Sequence, residues 1–453
     1  MMNRKMASIA GLALGLMSAG PRLKMPAIAP RTLPLVQAAR VTSFLDTLGV
    51  NSHDNYTDGT YADIDGTLRD LHYLGIHQLR EGIPDPNGGI PNNQFLQSLA
   101  KLQQDGDGFD FVAQCSAKYN SVAVQLAEID RIQKVRPCVL AVEGPNEVNN
   151  QPCTFGGTTD PPGFGSHAAA EQFQTALYAA VRSDVHLKNV PVYFYTGGNA
   201  HVDFANPRRA DCANAHPYPN HGEAPGSRIS GEFSRNFSAP APFPKVITEI
   251  GYFHNPLVTS GVDSRVQAAY TLDLLLDAYQ QSIAKTYLYQ LRTAYPDPNP
   301  AASPNEDAEY GLFDLGNHPR QVAVALHNLT AILADTSARA RTFHPGRLAY
   351  ALTGNGAGAS RSLLLARSNG HFLLVLWAEP AVWDDAAHRE KADAGPLPVT
   401  VRFRAPVAKA VLYDPCGSAP NGTGPPAPVR SRSHVLSVSV ALGASPLIYD
   451  IQP

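Results

Sequence analysis

Between Val41 and Arg292, short apolar runs alternate with longer amphipathic stretches. Leu68, Leu71 and Leu74 recur at helical spacing within Tyr61–Leu74, and Gly75-Ile76-His77-Gln78-Leu79-Arg80 then reads as a strand. Asn93–Gln103 predicts a helix and Phe109–Gln114 a strand; Val122–Gln133 and Val139–Val142 repeat the pair. His167–Arg182 predicts a long helix before the strand Val190–Tyr195. Ala210–His216, Val246–Thr248 and Thr286–Leu291 supply further strands, with Arg265–Gln280 helical between the last two. The first strand, approached through Val41–Leu48, ends at Gly49-Val50-Asn51-Ser52-His53. Eight such strands alternating with helices over about 250 residues is the pattern of an α/β (β/α)8 TIM barrel. A doubly wound open sheet is the rival, but no glycine-rich phosphate turn supports it.

After the Pro/Ala/Asn-rich stretch Pro296–Ser303, Gln321–Ala334 carries Val322, Leu326, Leu329 and Leu333 on one helical face and predicts the eighth helix. From about Ala340 the period changes. Arg347–Thr353, Ser362–Arg367, Phe372–Trp377, Val399–Phe403, Ala410–Tyr413, His434–Val440 and Leu447–Ile451 are β-type runs between turns rich in Gly, Pro and Asn. The expected organisation is a barrel over 38–338 followed by a small all-β sandwich over 339–453. Ahead of both, Arg4 and Lys5 precede the apolar stretch Ala7–Ala19, which resembles an export signal and is too short to span a bilayer. Residues 1–29 are therefore expected to be a signal segment, and the protein secreted or periplasmic. Ser18-Ala19-Gly20 and Ala27-Ile28-Ala29 are both candidate cleavage points, each followed by proline. No other segment is long enough to cross a membrane.

The 453 residues include 36 basic and 39 acidic ones, a balance that gives no electrostatic argument for nucleic-acid or anionic-membrane binding. A neutral polymer such as an oligo- or polysaccharide fits it better. Five cysteines are too few for a disulfide framework; one pair, for instance Cys115 with Cys153, can form in an oxidising compartment. No Cys/His spacing resembles a zinc site, and no cofactor or metal is expected. Asp297, Glu306, Asp307 and Glu309 read as a solvated acidic loop rather than a calcium site. The sequence does not address oligomeric state.

Two carboxylates carry the candidate chemistry. The run Val139–Val142 continues as Glu143-Gly144-Pro145-Asn146-Glu147; the proline ends the ladder and puts Asn146 and Glu147 at the C-terminal rim, where barrels hold their active sites. Glu249 directly follows Val246-Ile247-Thr248, where a charge is costly unless it is paired or functional. The competing readings are a solvated loop glutamate for Glu147 and a structural glutamate held by an arginine for Glu249. Tyr252 is a candidate hydrogen-bond donor beside Glu249. Glu143, four residues earlier than Glu147, is expected deeper and paired with a base. His216 and Tyr218 are alternate residues beyond a strand and can share the rim, and Asn51 and His53 can line the same pocket.

Gly144-Pro145-Asn146-Glu147 with Thr248-Glu249-Ile250-Gly251-Tyr252 resembles the fourth- and seventh-strand signature of the clan A glycoside hydrolases, above all the family 39 and family 5 type of barrel with a C-terminal β-sandwich. Gly49–His53, Gly75–Arg80, His216-Pro217-Tyr218-Pro219 and Tyr310-Gly311-Leu312-Phe313-Asp314 extend the likeness over about Val41–Asp335. The resemblance implies retaining hydrolysis of O-glycosidic bonds, with Glu147 as general acid/base, Glu249 as nucleophile and the carboxyls ~5–5.5 Å apart. Arg80 would hold Glu249 ionised. Glu147 would start the cycle protonated, in the more apolar or more negative place. Asn146 would donate to a sugar hydroxyl. The clan's usual eighth-strand tryptophan is missing: Trp377 and Trp383 both lie in the tail, so Tyr289 or Tyr295 would stack on the sugar instead. Transglycosylation through the same intermediate, and a non-catalytic carbohydrate-binding barrel, are the alternatives.

Overall fold

The structure, a computed structural model, describes residues 33–86, 92–197, 208–237, 243–301, 306–392, 395–417, 419–420, 422 and 424–453; the proposed signal segment lies outside them. Strands β1 (Leu48–Asn51), β2 (Gln78–Gly82), β3 (Gly108–Val112), β4 (Val139–Glu143), β5 (Val192–Tyr193), β6 (Ala213–Ala215), β7 (Lys245–Ile250) and β8 (Ile283–Leu288) form one sheet. Their order is β6-β7-β8-β1-β2-β3-β4-β5, with every pair parallel. A bridge from Tyr193 to Cys212 joins the two ends, so the sheet closes into a barrel. Helices α1 (Ile64–Leu74), α2 (Asn92–Asp105), α3 (Val122–Val135), α4 (Ala168–Ser183), α5 (Pro225–Asn236), α6 (Ser264–Gln280) and α7 (Gln321–Leu333) cover its outside. α1 shows how local chemistry sets the bounds: Asp63 accepts the Gly66 N–H at its start, and Gly75, at φ +65°, ends it in the left-handed conformation.

Three elements differ from the sequence reading. Val41–Leu45 is a short helix that buries Val41 and Phe44, one turn apart, under the barrel floor, so β1 begins only at Leu48. β8 stops at Leu288; beyond it the Tyr289 N–H donates to the Ile250 carbonyl and the Leu291 N–H to that of Asn51, so these residues brace the rim. Helix α5 has no counterpart among the expected elements, since Pro225-Gly226-Ser227 looks like a turn and is instead a proline-initiated first turn.

The C-terminal region is a second eight-stranded sheet. Its main strands are β9 (Arg347–Thr353), β10 (Ser360–Ala366), β11 (Phe372–Ala378), β12 (Leu397–Tyr413), β13 (Arg430–Leu442) and β14 (Leu447–Gln452). The runs Val399–Phe403 and Ala410–Tyr413 belong to one long strand that is irregular between Arg402 and Val407, around Pro406. The first half of β12 pairs with β9 and the second half with β14, so one continuous sheet folds over into two layers. Tyr350, Leu374, Leu376, Val401, Val438 and Tyr449 fill the space between. Leu35–Gln37 pairs with β9 and Ala39–Arg40 with β10, so the boundary placed at 38 falls inside this sheet and the barrel starts at Val41.

β11 holds the two halves together through its period of two. Leu374, Leu376 and Ala378 face the sheet's own core, while Leu373, Val375 and Trp377 join the barrel's. The Trp377 indole N–H donates to Asp277 on α6 at 3.1 Å, Arg361 pairs with Asp277, and Arg361 also reaches Glu379 at 2.8 Å. One turn earlier on α6, the buried Asp273 has neither carboxyl oxygen hydrogen-bonded among the described residues. Burial, then the nearby charges of Asp277 and Glu379, push Asp273 well above the carboxylate range; burial and Glu379 raise Asp277 to about 8. A carboxyl whose pKa is raised by folding binds its proton more tightly in the native state, so its stabilising share is full in acid and is lost as pH rises to the native value. Stability should therefore fall across the window from the ordinary carboxylate range to about 8. In Asp273→Asn, urea midpoints measured across that window should fall less steeply; slopes identical to wild type would disprove the link.

Candidate active site

The polar side chains of the barrel converge toward the C-terminal ends of the strands, and Arg80, in the middle of β2, is their hub. It is buried, and its fork is fully used. Nε and Nη2 donate to the two oxygens of Glu143 at 2.7 and 2.8 Å, Nη1 to Glu249 at 2.5 Å and Asn51 at 2.9 Å, and Nη2 also to Asn146 at 2.7 Å. Glu143 thus sits one layer below the rim, paired with Arg80 through both oxygens. Because the Asn146 oxygen accepts from Arg80, the NH2 end of its amide is the one turned to a ligand.

Glu249 accepts from Arg80 on one oxygen and from the Tyr218 hydroxyl on the other, at 2.9 Å. Thr248 and Glu249 both reach the site although neighbours on a strand point to opposite faces. The irregularity in β7 between Ile247 and Ile250 is what makes this possible. Thr248 Oγ1 lies 3.0 Å from His216 Nε2 and donates to Glu143 at 3.0 Å, while Asn214 on β6 donates to Glu143 at 3.1 Å.

Glu147 sits in the turn after β4 with φ +39°, its N–H donating to Thr196 Oγ1 at 2.9 Å. Gly197 lies against that turn: at φ +74°, any Cβ there would come within 2.8 Å of the Glu147 Cα. The Glu147 carboxylate is 3.0 Å from His216 Nδ1 and accepts from Asn150 at 3.0 Å. His216 Nδ1 is also 3.6 Å from Glu249, and one oxygen of each glutamate lies within 4.8 Å of the other. A hydrogen-bonded chain thus runs from Glu147 through His216, Thr248, Glu143 and Arg80 to Glu249.

Protonation departs from the sequence reading. Burial pushes Glu147 up, but the hydrogen bond and charge of His216 outweigh it and hold the carboxyl down at about 2. Burial lowers His216, yet Glu249 and Glu147 raise it on balance. The proton therefore rests on His216, which faces both carboxylates, and Glu147 is the ionised partner. Glu147 is also the more solvent-open glutamate, its side chain 27% exposed against 9% for Glu249.

Glu147 lies on a ridge between two cavities. One, of ≈ 420 Å³, is bounded by Arg80, Asn146, Glu249, His53, Tyr56 and Tyr289. The other, of ≈ 100 Å³, is walled by Phe164, Phe194, Thr196, His216 and Phe237. In the larger cavity His53 stacks on Tyr56, with ring centres 4.7 Å apart, and meets Tyr289 edge-on. Burial, then the Arg80 charge, lower His53 to about 3, so the ring is neutral, and its buried Nε2 has no hydrogen-bond partner among the described residues. Tyr289 and Tyr310 flank Tyr218.

Tyr252 lies elsewhere: its hydroxyl donates to the Glu223 carbonyl and its ring packs near Tyr270 of α6, outside the cleft. Tyr295 bonds Asp58 beside Tyr56, and Glu309 pairs with Arg320. Sequence reading missed Thr196, Asn214, Thr248 and Glu81. Glu81 takes hydrogen bonds from Ser52 and the Asp54 N–H just beneath His53. Asn214, two residues before His216, was legible from strand alternation; the others depend on turns and on the irregularity in β7. Glu147, His216 and Glu249 carry metal-type donor atoms, but the Arg80 guanidinium already fills the place beside Glu249 that a cation would take.

No family profile matches the sequence, and no curated protein does. Solved structures do. A GH39 enzyme from Xanthomonas axonopodis pv. citri aligns over 96% of this chain and 99% of its own, at 14% identity and a TM-score of 0.54. A monomeric beta-xylosidase from Caulobacter crescentus aligns over 92% and 98%, at 13% identity and a TM-score of 0.58. A GH39 beta-xylosidase from the same organism gives 92% and 98%, 14% identity and 0.56. The chain has the fold of these GH39 glycosidases over 92–96% of its length.

Proposed function

We propose that the protein is a retaining glycoside hydrolase that cleaves O-glycosidic bonds of an oligo- or polysaccharide by double displacement. The observation that carries this reading is the approach of Glu147 and Glu249 to within 4.8 Å, oxygen to oxygen. A retaining pair stands ~5–5.5 Å apart, whereas an inverting pair needs ~6.5–9.5 Å to admit water between sugar and base.

In the proposed cycle the sugar lies in the larger cavity and its leaving group in the smaller, with Glu147 on the ridge between. A Glu249 oxygen attacks the anomeric carbon as the glycosidic C–O bond breaks. Glu147, ionised at rest, takes a proton from the imidazolium of His216 across 3.0 Å and passes it to the departing oxygen, which leaves Glu147 ionised and His216 neutral until the second step. Water then gives its proton to Glu147 and attacks the anomeric carbon, and the Glu249 ester bond breaks. Arg80 and Tyr218 hold Glu249 in aim, and Asn146 borders the cavity proposed for the sugar. Transglycosylation differs only in letting a sugar hydroxyl, rather than water, enter beside Glu147. The disulfide Cys115–Cys153, with Cα atoms 4.8 Å apart, supports the further proposal of an exported protein.

Beta-xylosidases among the similar folds make β-xylosides the first substrates to try. An aryl-glycoside and oligosaccharide panel followed by proton NMR at early times should give product with the substrate's anomeric configuration. A first-formed product of opposite configuration would refute the double displacement.

A further inference from the structure

We propose that the opposite, N-terminal face of the barrel carries a divalent-cation site formed by His77, Asp105 and Asp107, with His72 beside it on Asp105, suited to Zn2+. Nothing in the spacing of these residues resembles a zinc motif, because the fold assembles them from separate elements. His72 is in the last turn of α1 and Asp105 is the last residue of α2. His77 and Asp107 each directly precede a strand, and the pairing of Gln78 with Gly108 sets them side by side at the start of β2 and β3. The backbone fixes this placement: the Gly108 N–H donates to the His77 carbonyl at 3.0 Å, and the Asp107 N–H to that of Leu102 at 3.1 Å.

The donor atoms converge. His77 Nδ1 is 2.9 Å from Asp107 Oδ1, and His72 Nε2 is 2.7 Å from Asp105 Oδ2. One ligand-type atom each from His77, Asp105 and Asp107 lies within 4.8 Å of the others, and the two imidazole centres are 6.2 Å apart. The independent sign of a missing ligand is Asp107 itself. Its side chain is wholly buried, and while Oδ1 meets His77, Oδ2 has no hydrogen-bond partner among the described residues. A buried carboxylate oxygen without a partner is costly, and a cation bound between the carboxylates would complete it. One imidazole nitrogen and two carboxylate oxygens, with the fourth position left to water, are a donor set for Zn2+ and, in the general order of affinities, for Co2+ and Ni2+ as well. A cavity of ≈ 840 Å³ bordered by His72, His77 and Asp107 gives an ion access. The site lies at the far end of the barrel from Glu147 and Glu249, so its part is to tie α1 and α2 to the starts of β2 and β3.

The ordinary alternative is a pair of histidine–carboxylate hydrogen bonds that take no metal. Tag-free protein stripped with chelator and dialysed against Zn2+ separates the two. Metal analysis should find one tightly bound Zn2+ per chain, which also raises the thermal midpoint. His77→Ala and Asp107→Asn should each weaken binding by about tenfold or more. His216→Ala and His186→Ala, which change the other His/carboxylate clusters among the described residues, should leave it intact. Asp107→Asn preserves shape, so it serves as the readout if His77→Ala fails to fold. Absence of stoichiometric Zn2+ in wild type, undiminished binding in Asp107→Asn, or loss of binding in His216→Ala or His186→Ala overturns the site.

Discussion

Glu249→Ala should lower turnover of an activated aryl glycoside by about 10⁴-fold or more, since removing a covalent nucleophile leaves only binding and electrostatics. Added azide then distinguishes the two glutamates. In Glu249→Ala the small anion can enter where the carboxylate stood and attack from that face, giving a glycosyl azide of inverted configuration. In Glu147→Ala the glycosyl-enzyme still forms when the leaving group needs no proton, and azide attacks it from the other side, giving net retention. The geometry supports this division: Glu249 is held on both oxygens by Arg80 and Tyr218, whereas Glu147 stands between the two cavities, paired with a histidine that can pass it a proton. Equal turnover of Glu249→Ala and wild type, or the opposite pattern of azide products, would rule the assignment out.

Arg80→Met should cost about 3–5 kcal/mol of stability, the usual result of leaving buried charge uncompensated. Glu143 has no exposed side-chain surface and Glu249 very little, and Arg80 is the ion-pair partner of both. Activity should vanish with it. Arg80→Lys keeps the charge but loses the planar fork that binds Glu143 with two parallel hydrogen bonds. It should recover part of the stability and little of the activity. Urea denaturation decides the matter; a loss under about 1 kcal/mol, within the range of an exposed pair, would mean that Arg80 is not the hub.

The elements most legible in the sequence are those whose period is strong and whose ends carry local signals. Helices α1 and α6 fall within a few residues of their expected spans, since apolar spacing and a capping aspartate act within one turn, and α7 does so on its apolar positions alone. The β runs of the tail were equally plain, but their joining was not. Arg404-Ala405-Pro406 reads as a turn and is part of one strand, because a proline can sit in a strand where the ladder is irregular. Tyr252 shows the same limit at the site. Three residues beyond Glu249, it looks like a neighbour of the carboxylate, but the backbone after β7 turns it outward to Tyr270.

The sequence by itself determined the alternation of eight strands with helices, the β-rich tail, and two rim glutamates three βα units apart, because periodicity and strand-ending residues are local properties. Only the tertiary structure decided where the proton rests, since that depends on His216 arriving from β6 between carboxylates on β4 and β7. It also decided that one arginine serves Glu143, Asn146 and Glu249 together. It brought His72, His77, Asp105 and Asp107 to one corner of the opposite face. Charge interactions of this kind act through space over a few ångströms, and closing the barrel is what makes residues distant along the chain near neighbours.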